Sequence, residues 1–188
     1  MRVYRTHEQE VCGLKWNKDG EYFASGGNDN RLFVYSPKIE QPLMAKRHRA
    51  AVKAIDWSHK NARLLVTGSG SKDRCIRLYN VTQNRLVRKV DTQSQICNIL
   101  FSKVNNEVFS AHGFSQNRVC VWDEDLKPLQ SLEGHQKRVL YLALNPDGNV
   151  LVSASGLGDE TLRFWRLGYN QRQFSDFNSG LFQGVMLR

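Results

Sequence analysis

The stretch Gly134-His135-x3-Val139, running on through Leu140 to Leu144, decides the reading of this chain. It continues with Asn145-Pro146-Asp147-Gly148, Leu151-Val152-Ser153, Asp159 and Leu162-Arg163-Phe164-Trp165. Short apolar runs of strand length, parted by a turn tetrapeptide and a loop, describe consecutive antiparallel strands. Toward the N-terminus the same framework recurs three more times. Ile96 to Phe101 is followed by Val108-Phe109-Ser110, Asn117 and Val119 to Trp122-Asp123. His48-x3-Val52 leads into Ala54 to Trp57, Leu65-Val66-Thr67-Gly68, Asp73 and Ile76 to Tyr79. His7-x3-Val11 leads into Cys12 to Trp16, Asn17-Lys18-Asp19-Gly20, Phe23-Ala24-Ser25-Gly26, Asp29 and Leu32 to Tyr35. The closing aromatics Tyr35, Tyr79, Trp122 and Trp165 lie 44, 43 and 43 residues apart, and Val11, Val52, Ile96 and Val139 lie 41, 44 and 43 apart. Two independent markers keeping one period of about 40–45 residues, with four short strands per unit, specify a β-propeller.

The expected architecture is all-β. Propeller blades occupy about 7–45, 46–90, 91–132 and 133–167 within a domain spanning 1–167, and a flexible tail covers 168–188. Pro37, Pro42, Pro128 and Pro146 all fall between expected strands, where a missing N–H costs no ladder bond. Of the 188 residues 40% are hydrophobic and 24% charged, as in globular proteins. No apolar run approaches the ~20 residues of a bilayer span, and the first residues carry no apolar leader, so the expected location is nucleus and cytoplasm, off the membrane. Cys12, Cys75, Cys97 and Cys120 form no C-x-x-C pair and sit in apolar runs, which reads as structural thiols. Neither a metal nor a cofactor is expected. The net charge of +9 is spread along the chain, with one dense cluster at Lys46-Arg47-His48-Arg49. It reads as solvated surface first, attraction to an acidic protein second, and nucleic acid last.

The units resemble WD-type blades, in which a His, a Ser or Thr, an Asp and a Trp form a buried hydrogen-bonded set. His135, Ser153, Asp159 and Trp165 match that set fully. His7, Ser25, Asp29 and Tyr35 match it with tyrosine in the aromatic place, as do His48, Thr67, Asp73 and Tyr79. With these residues assigned to structure, no nucleophile–base, paired-carboxylate or phosphate-cradling motif is left over. Gly26-Gly27 and Gly68-x-Gly70 recur at one blade position and read as loop glycines. The expectation is a binding platform and not an enzyme.

Strings that exceed blade consensus narrow this further. Glu10-Val11-Cys12-Gly13-Leu14-Lys15-Trp16, Ser25-Gly26-Gly27-Asn28-Asp29-Asn30, Asp73-Arg74-Cys75-Ile76-Arg77, His112-Gly113-Phe114-Ser115-Gln116-Asn117 and Gly158-Asp159-Glu160-Thr161-Leu162-Arg163-Phe164-Trp165 stand out. Through them the chain, from about Gln9 to Leu167, resembles the fizzy and fizzy-related activators of the anaphase-promoting complex (cyclosome). The resemblance implies a cell-cycle protein that presents KEN-box or D-box degrons, on substrates such as cyclins, to a ubiquitin ligase. It also implies the residues. Asn28, Asn30, Ser71, Gln95 and Arg138 would form a KEN-type receptor, with Arg138 clamping a glutamate carboxylate as a guanidinium can. Asn28 and Asn30 could instead be turn formers beside Asp29. Glu160 would face a D-box arginine, or be an ordinary loop glutamate. Leu187-Arg188 would dock in a TPR groove of the ligase, in the manner of C-terminal carboxylate capture.

Against the family pattern of seven blades preceded by a C-box, the sequence opens at the link into the fourth blade. It is expected to be the C-terminal four of seven, a piece of a longer protein. The rival expectation is that two chains pair their open faces as an eight-blade ring. The Ser155-Gly156-Leu157-Gly158 loop is expected to be about two residues longer than usual. A generic WD-repeat scaffold, or a basic nucleic-acid-binding propeller, is the alternative functional reading.

Overall fold

The computed structural model describes residues 3–168 and the backbone of the two-residue strand Ser175–Asp176. It consists of sixteen strands in four antiparallel four-stranded sheets. The first sheet holds β1 (Val11–Trp16), β2 (Phe23–Gly27), β3 (Arg31–Tyr35) and β4 (Met44–Arg47). The second holds β5 (Val52–Trp57), β6 (Leu64–Ser69), β7 (Cys75–Asn80) and β8 (Arg85–Asp91). β9 (Ile96–Phe101), β10 (Val108–His112), β11 (Val119–Trp122) and β12 (Pro128–Leu132) make the third. β13 (Val139–Leu144), β14 (Val150–Ser155), β15 (Leu162–Arg166) and β16 (Ser175–Asp176) make the fourth. Each sheet is a meander in chain order, the simplest way to pair strands joined by short turns. The fourth blade draws its outer strand from beyond residue 167: Trp165 pairs with Asp176 and Arg166 with Ser175.

The inner strands stack in sequence, β1 on β5, β5 on β9 and β9 on β13. Their side chains form three separate cores, one at each junction. At the first, Ala24, Leu32, Val34 and Met44 receive Val52, Ile55 and Trp57 of the next blade. The second sets Ala54, Val66, Ile76 and Leu78 against Ile96, Ile99 and Phe101. The third sets Phe109, Ala111, Val119 and Val121 against Val139, Leu142 and Trp165. Junctions are tight enough to dictate residue size: a Cβ on Gly26 would lie 2.1 Å from the Val52 carbonyl oxygen, and one on Gly68 would lie 2.3 Å from Ile96 Cγ2.

Among the described residues, no contact of comparable extent joins β13 back to β1. The outer faces of the end blades show it. Val11, Leu14 and Trp16 are 52%, 66% and 52% exposed, whereas their counterparts Val52, Ile55 and Trp57 are 0%, 7% and 2% exposed. Tyr141, Leu162 and Phe164 are likewise exposed where Ala54, Ile76 and Leu78 are buried. Tyr4 lies over part of the first face, its ring 4.5 Å from Tyr35 and 5.6 Å from Phe23.

The blade hydrogen-bond sets vary in an instructive way. In the fourth blade His135 Nε2 lies 2.8 Å from Ser153 Oγ and Nδ1 lies 2.9 Å from Asp159, while the Trp165 indole N–H donates to Ser153 at 2.9 Å. In the first, His7 meets Ser25 and Asp29 in the same manner, but Tyr35 does not join them: its hydroxyl pairs with Thr6. In the second, Tyr79 reaches His48 Nε2 directly at 3.3 Å, Ser69 takes His48 Nδ1 at 2.7 Å, and Thr67 Oγ1 is buried without a partner. Both corrections have one cause. An indole N–H sits close to the backbone and meets the strand hydroxyl, whereas a phenol oxygen at the far end of its ring overshoots it.

The second blade adds Arg77, which donates to both Asp73 oxygens at 2.6 and 2.9 Å and to His48 Nδ1 at 2.9 Å. An imidazole nitrogen that accepts from a guanidinium carries no proton. Burial and the Arg77 charge accordingly push His48 down to about 4. The third blade, to which the sequence assigned no such set, uses His112 from β10 itself. Its Nε2 lies 2.7 Å from Ser110, which accepts from the Trp122 indole at 2.7 Å. Burial pushes His112 to about 4 as well.

Candidate functional site

Every blade ties its second loop to the residue just before its inner strand. The main-chain N–H of Asn28 donates to the Glu10 carbonyl, Gly70 to Ala51, Gly113 to Gln95 and Gly156 to Arg138, at 2.9 to 3.1 Å. Glu10, Ala51, Gln95 and Arg138 therefore occupy one structural position, stepped around the same end of the propeller. Gln95 and Arg138 thus hold the same position on adjacent blades. Glu10 belongs with them and was missed. Its signal was legible, because each of these residues directly precedes the repeat markers Val11, Val52, Ile96 and Val139.

The rim carries opposite charges at its two ends. Glu10 accepts from the Asn28 side-chain amide at 3.2 Å, and a main-chain N–H together with that amide holds its carboxyl below the ordinary range. The Arg138 side chain is exposed, and its carbonyl also accepts from Ser155 Oγ at 3.1 Å, which fixes where the guanidinium starts. Lys53 on β5 is a second addition. Its ammonium lies 5.5 Å from the Tyr141 ring centroid, bridging the second and fourth blades beside the axis. Burial raises the Cys97 thiol, while the charges of Arg138 and Lys53 pull it the other way. Cys75, Cys97 and Cys120 are buried free thiols on strands, and Cys12 is half-buried.

A second register closes each loop with a left-handed residue: Asn30, Arg74, Asn117 and Glu160, at φ of 64°, 56°, 48° and 45°. In the later blades the turn is identical. Asp73 and Arg74 both bond Gly70, Gln116 and Asn117 both bond Gly113, and Asp159 and Glu160 both bond Gly156. Gln116, and not Asn117, is therefore the counterpart of Asp73. The Ser155-Gly156-Leu157-Gly158 segment, expected to be longer, closes by the same bonds as its neighbours. Asn30 is a turn former in its backbone, donating to Gly27 and accepting from His48 N–H at 2.8 Å. Asn28, in the first register, and Ser71, between the two, are exposed. Glu160 turns onto its own loop, accepting from the Gly158 N–H at 2.8 Å. Leu187 and Arg188 lie outside the described residues.

What this end of the molecule offers is a curved row of amide, carboxylate and guanidinium groups on a rigid frame, suited to an extended peptide with side chains of both charges.

The WD domain, G-beta repeat family profile matches residues 1–36, 41–80 and 126–166. The unmatched part contains most of the third blade, the one whose histidine has moved onto a strand. Protein FIZZY-RELATED 1 of Arabidopsis thaliana is 51% identical over 163 residues, covering 86% of this chain and 34% of the relative. Meiotic fizzy-related protein 1 of Schizosaccharomyces pombe is 47% identical, over 88% of this chain and 39% of its own. A protein named Anaphase-promoting complex subunit cdh1, from Dictyostelium discoideum, is 40% identical over 93% of this chain and 27% of its own. The chain thus spans about a third of the length of the curated relatives it matches. A chain in the crystal structure of the Mitotic Checkpoint Complex superposes with a TM-score of 0.81 at 39% identity, over 86% of this chain and 50% of that one. The computationally designed Ika4 protein, at 24% identity and a TM-score of 0.72, shares the fold over 88% of this chain and 96% of its own. The chain belongs to the WD domain, G-beta repeat family, and over most of its length it is similar to the fizzy-related proteins.

Proposed function

We propose that this chain is the degron-binding part of an anaphase-promoting complex activator, and that it recognises peptides and catalyses nothing itself. The observation that carries the reading is the rim of structurally equivalent residues, Glu10, Ala51, Gln95 and Arg138, each tied by the same main-chain bond. A KEN-type peptide offers an ammonium, a carboxylate and an amide. Arg138 takes the carboxylate, Gln95 and Asn28 bond the amide and the peptide backbone, and Glu10 takes the ammonium. Asn30 and Ser71 contribute from the adjoining loops. A guanidinium–carboxylate pair set against fixed amides gives register as well as attraction. Support also comes from the fizzy-related relatives at about half identity. Glu160 is assigned to a D-box-type arginine through Oε2, the oxygen not bonded to Gly158, and Leu187-Arg188 to docking on the ligase.

Binding of a fluorescently labelled KEN peptide to the purified chain tests this. The peptide binds, and Arg138→Ala weakens it by at least tenfold, as loss of one charge-assisted pair implies. Glu10→Gln weakens a lysine-bearing peptide more than its norleucine analogue. Binding that is indifferent to Arg138→Ala, or confined to RNA at low salt, would overturn the reading in favour of a scaffold or a nucleic-acid-binding propeller.

A further inference from the structure

The equivalence of the second loops exposes a gradient that the degron reading does not use. In each later blade the residue after the rim-bonded glycine is exposed in the same turn: Ser71, Phe114 and Leu157. The identity changes from hydroxyl to aromatic to aliphatic as the loops pass from the second blade to the fourth. Phe114 and Leu157 are 80% and 93% exposed. No fold requirement accounts for them, since Ser71 closes the same turn without an apolar side chain.

They flank a cleft of about 410 Å³ between the third and fourth blades, whose other walls include Lys137, Arg138 and Leu140. The walls are held in place. Gly156 lies so close to Leu140 that a Cβ there would come within 2.9 Å of Leu140 Cδ1. Gly158, at φ 94°, lies beneath the Lys137 side chain, 2.9 Å from Cε by the same measure, and Glu160 pins its N–H. Among the described residues neither Lys137 nor Arg138 is paired with a carboxylate. The cleft therefore combines unneutralised positive charge with three apolar side chains, at a volume near the lower end of ligand-binding sites.

We propose that this cleft is an anchoring subsite for a bulky apolar side chain placed next to the carboxylate that Arg138 binds, so that the chain selects acidic peptides with a leucine- or phenylalanine-like neighbour. The inference rests on the degron reading of Arg138. The cations fix the acidic residue, and Phe114, Leu140 and Leu157 close over the apolar one. Such an anchor removes its own surface and that of two exposed side chains from water, the arrangement that concentrates binding energy in a few residues.

The test uses labelled peptides with a Lys-Glu-Asn core, in which leucine is scanned through the three positions on either side, with alanine as reference. At the matching position leucine improves affinity about tenfold over alanine, the effect of burying one such side chain. Leu157→Ala, and separately Phe114→Ala, bring that ratio to near one while leaving the alanine peptide's affinity unchanged. Both residues are exposed, so neither change threatens folding. A leucine preference that survives both variants, no preference at any position, or equal weakening of leucine and alanine peptides would refute the subsite while leaving the degron reading intact. Failure of every peptide to bind would overturn the degron reading itself and the subsite with it.

Discussion

Two imidazoles with their protons excluded make this fold sensitive to mild acid. His48 is enclosed by Arg77, Asp73, Ser69 and Tyr79, and His112 by Ser110 with the Arg118 charge nearby. Both are pushed from 6.5 down to about 4, chiefly by burial. A folded value below the unfolded one means that the unfolded chain binds more protons between pH 4 and 6.5. The contribution is thus complete above pH 6.5 and is lost as pH falls toward 4. From pH 7 to pH 5 each histidine removes about 2 kcal/mol, and the two together about 4 kcal/mol, from a typical total of 5–15 kcal/mol. Asp56, raised by burial, titrates with the opposite sign and offsets part of this at the acid end. Urea unfolding followed by tryptophan fluorescence at pH 7 and pH 5 measures the effect as a fall in midpoint with little change in slope. Imidazole proton resonances of His48 and His112 should stay flat down to pH 5. A midpoint that holds between the two pH values, or rings that titrate above pH 6, would refute the reasoning.

Three further outcomes follow from particular contacts. Thr67→Val removes a buried hydroxyl that bonds nothing and keeps the shape, so thermal unfolding should show no loss and up to about 1 kcal/mol of gain. Arg77→Met strands the buried Asp73 carboxylate, held well below the usual range by Arg77 and Ser69, and should cost about 3–5 kcal/mol in the same assay. Gly26→Ala drives a methyl group into the Val52 carbonyl across a blade junction and should destabilise by about 1–3 kcal/mol or more, read from the denaturant midpoint.

The period of the closing aromatics was enough to count the blades, because each junction needs the same apolar residues at the same spacing. The His135–Ser153–Asp159–Trp165 set was legible for the same reason: all four residues sit at repeat positions. What the sequence hid was chemistry decided by side-chain reach. Nothing in the one-letter pattern says that a phenol bypasses Thr67 while an indole meets Ser153, or that Arg77 fills the space beside His48. His112 escaped because it performs the duty from inside a strand and not from the preceding segment. Within the candidate site Gln95 and Arg138 are what the resemblance implies, whereas Glu10 needs the loop-to-rim bond to show that it stands in the same structural position. In the turns after Gly113 and Gly156 it is the main-chain bonds, and not residue type, that match Gln116 with Asp159.

The three separate junction cores have a consequence for how the molecule comes apart. Among the described residues each blade packs its core only on its neighbours in the chain, the Lys53–Tyr141 contact aside, so the protein behaves as a short one-dimensional lattice, where stability is a sum of blade and interface contributions. Among the described residues the two middle blades have an interface on both sides and the two outer ones on a single side. Hydrogen exchange should then be slowest around β5, β6, β9 and β10 and faster outward in both directions. Unfolding begins as fraying, with β1 and β15 opening first and the His48 and His112 networks yielding last.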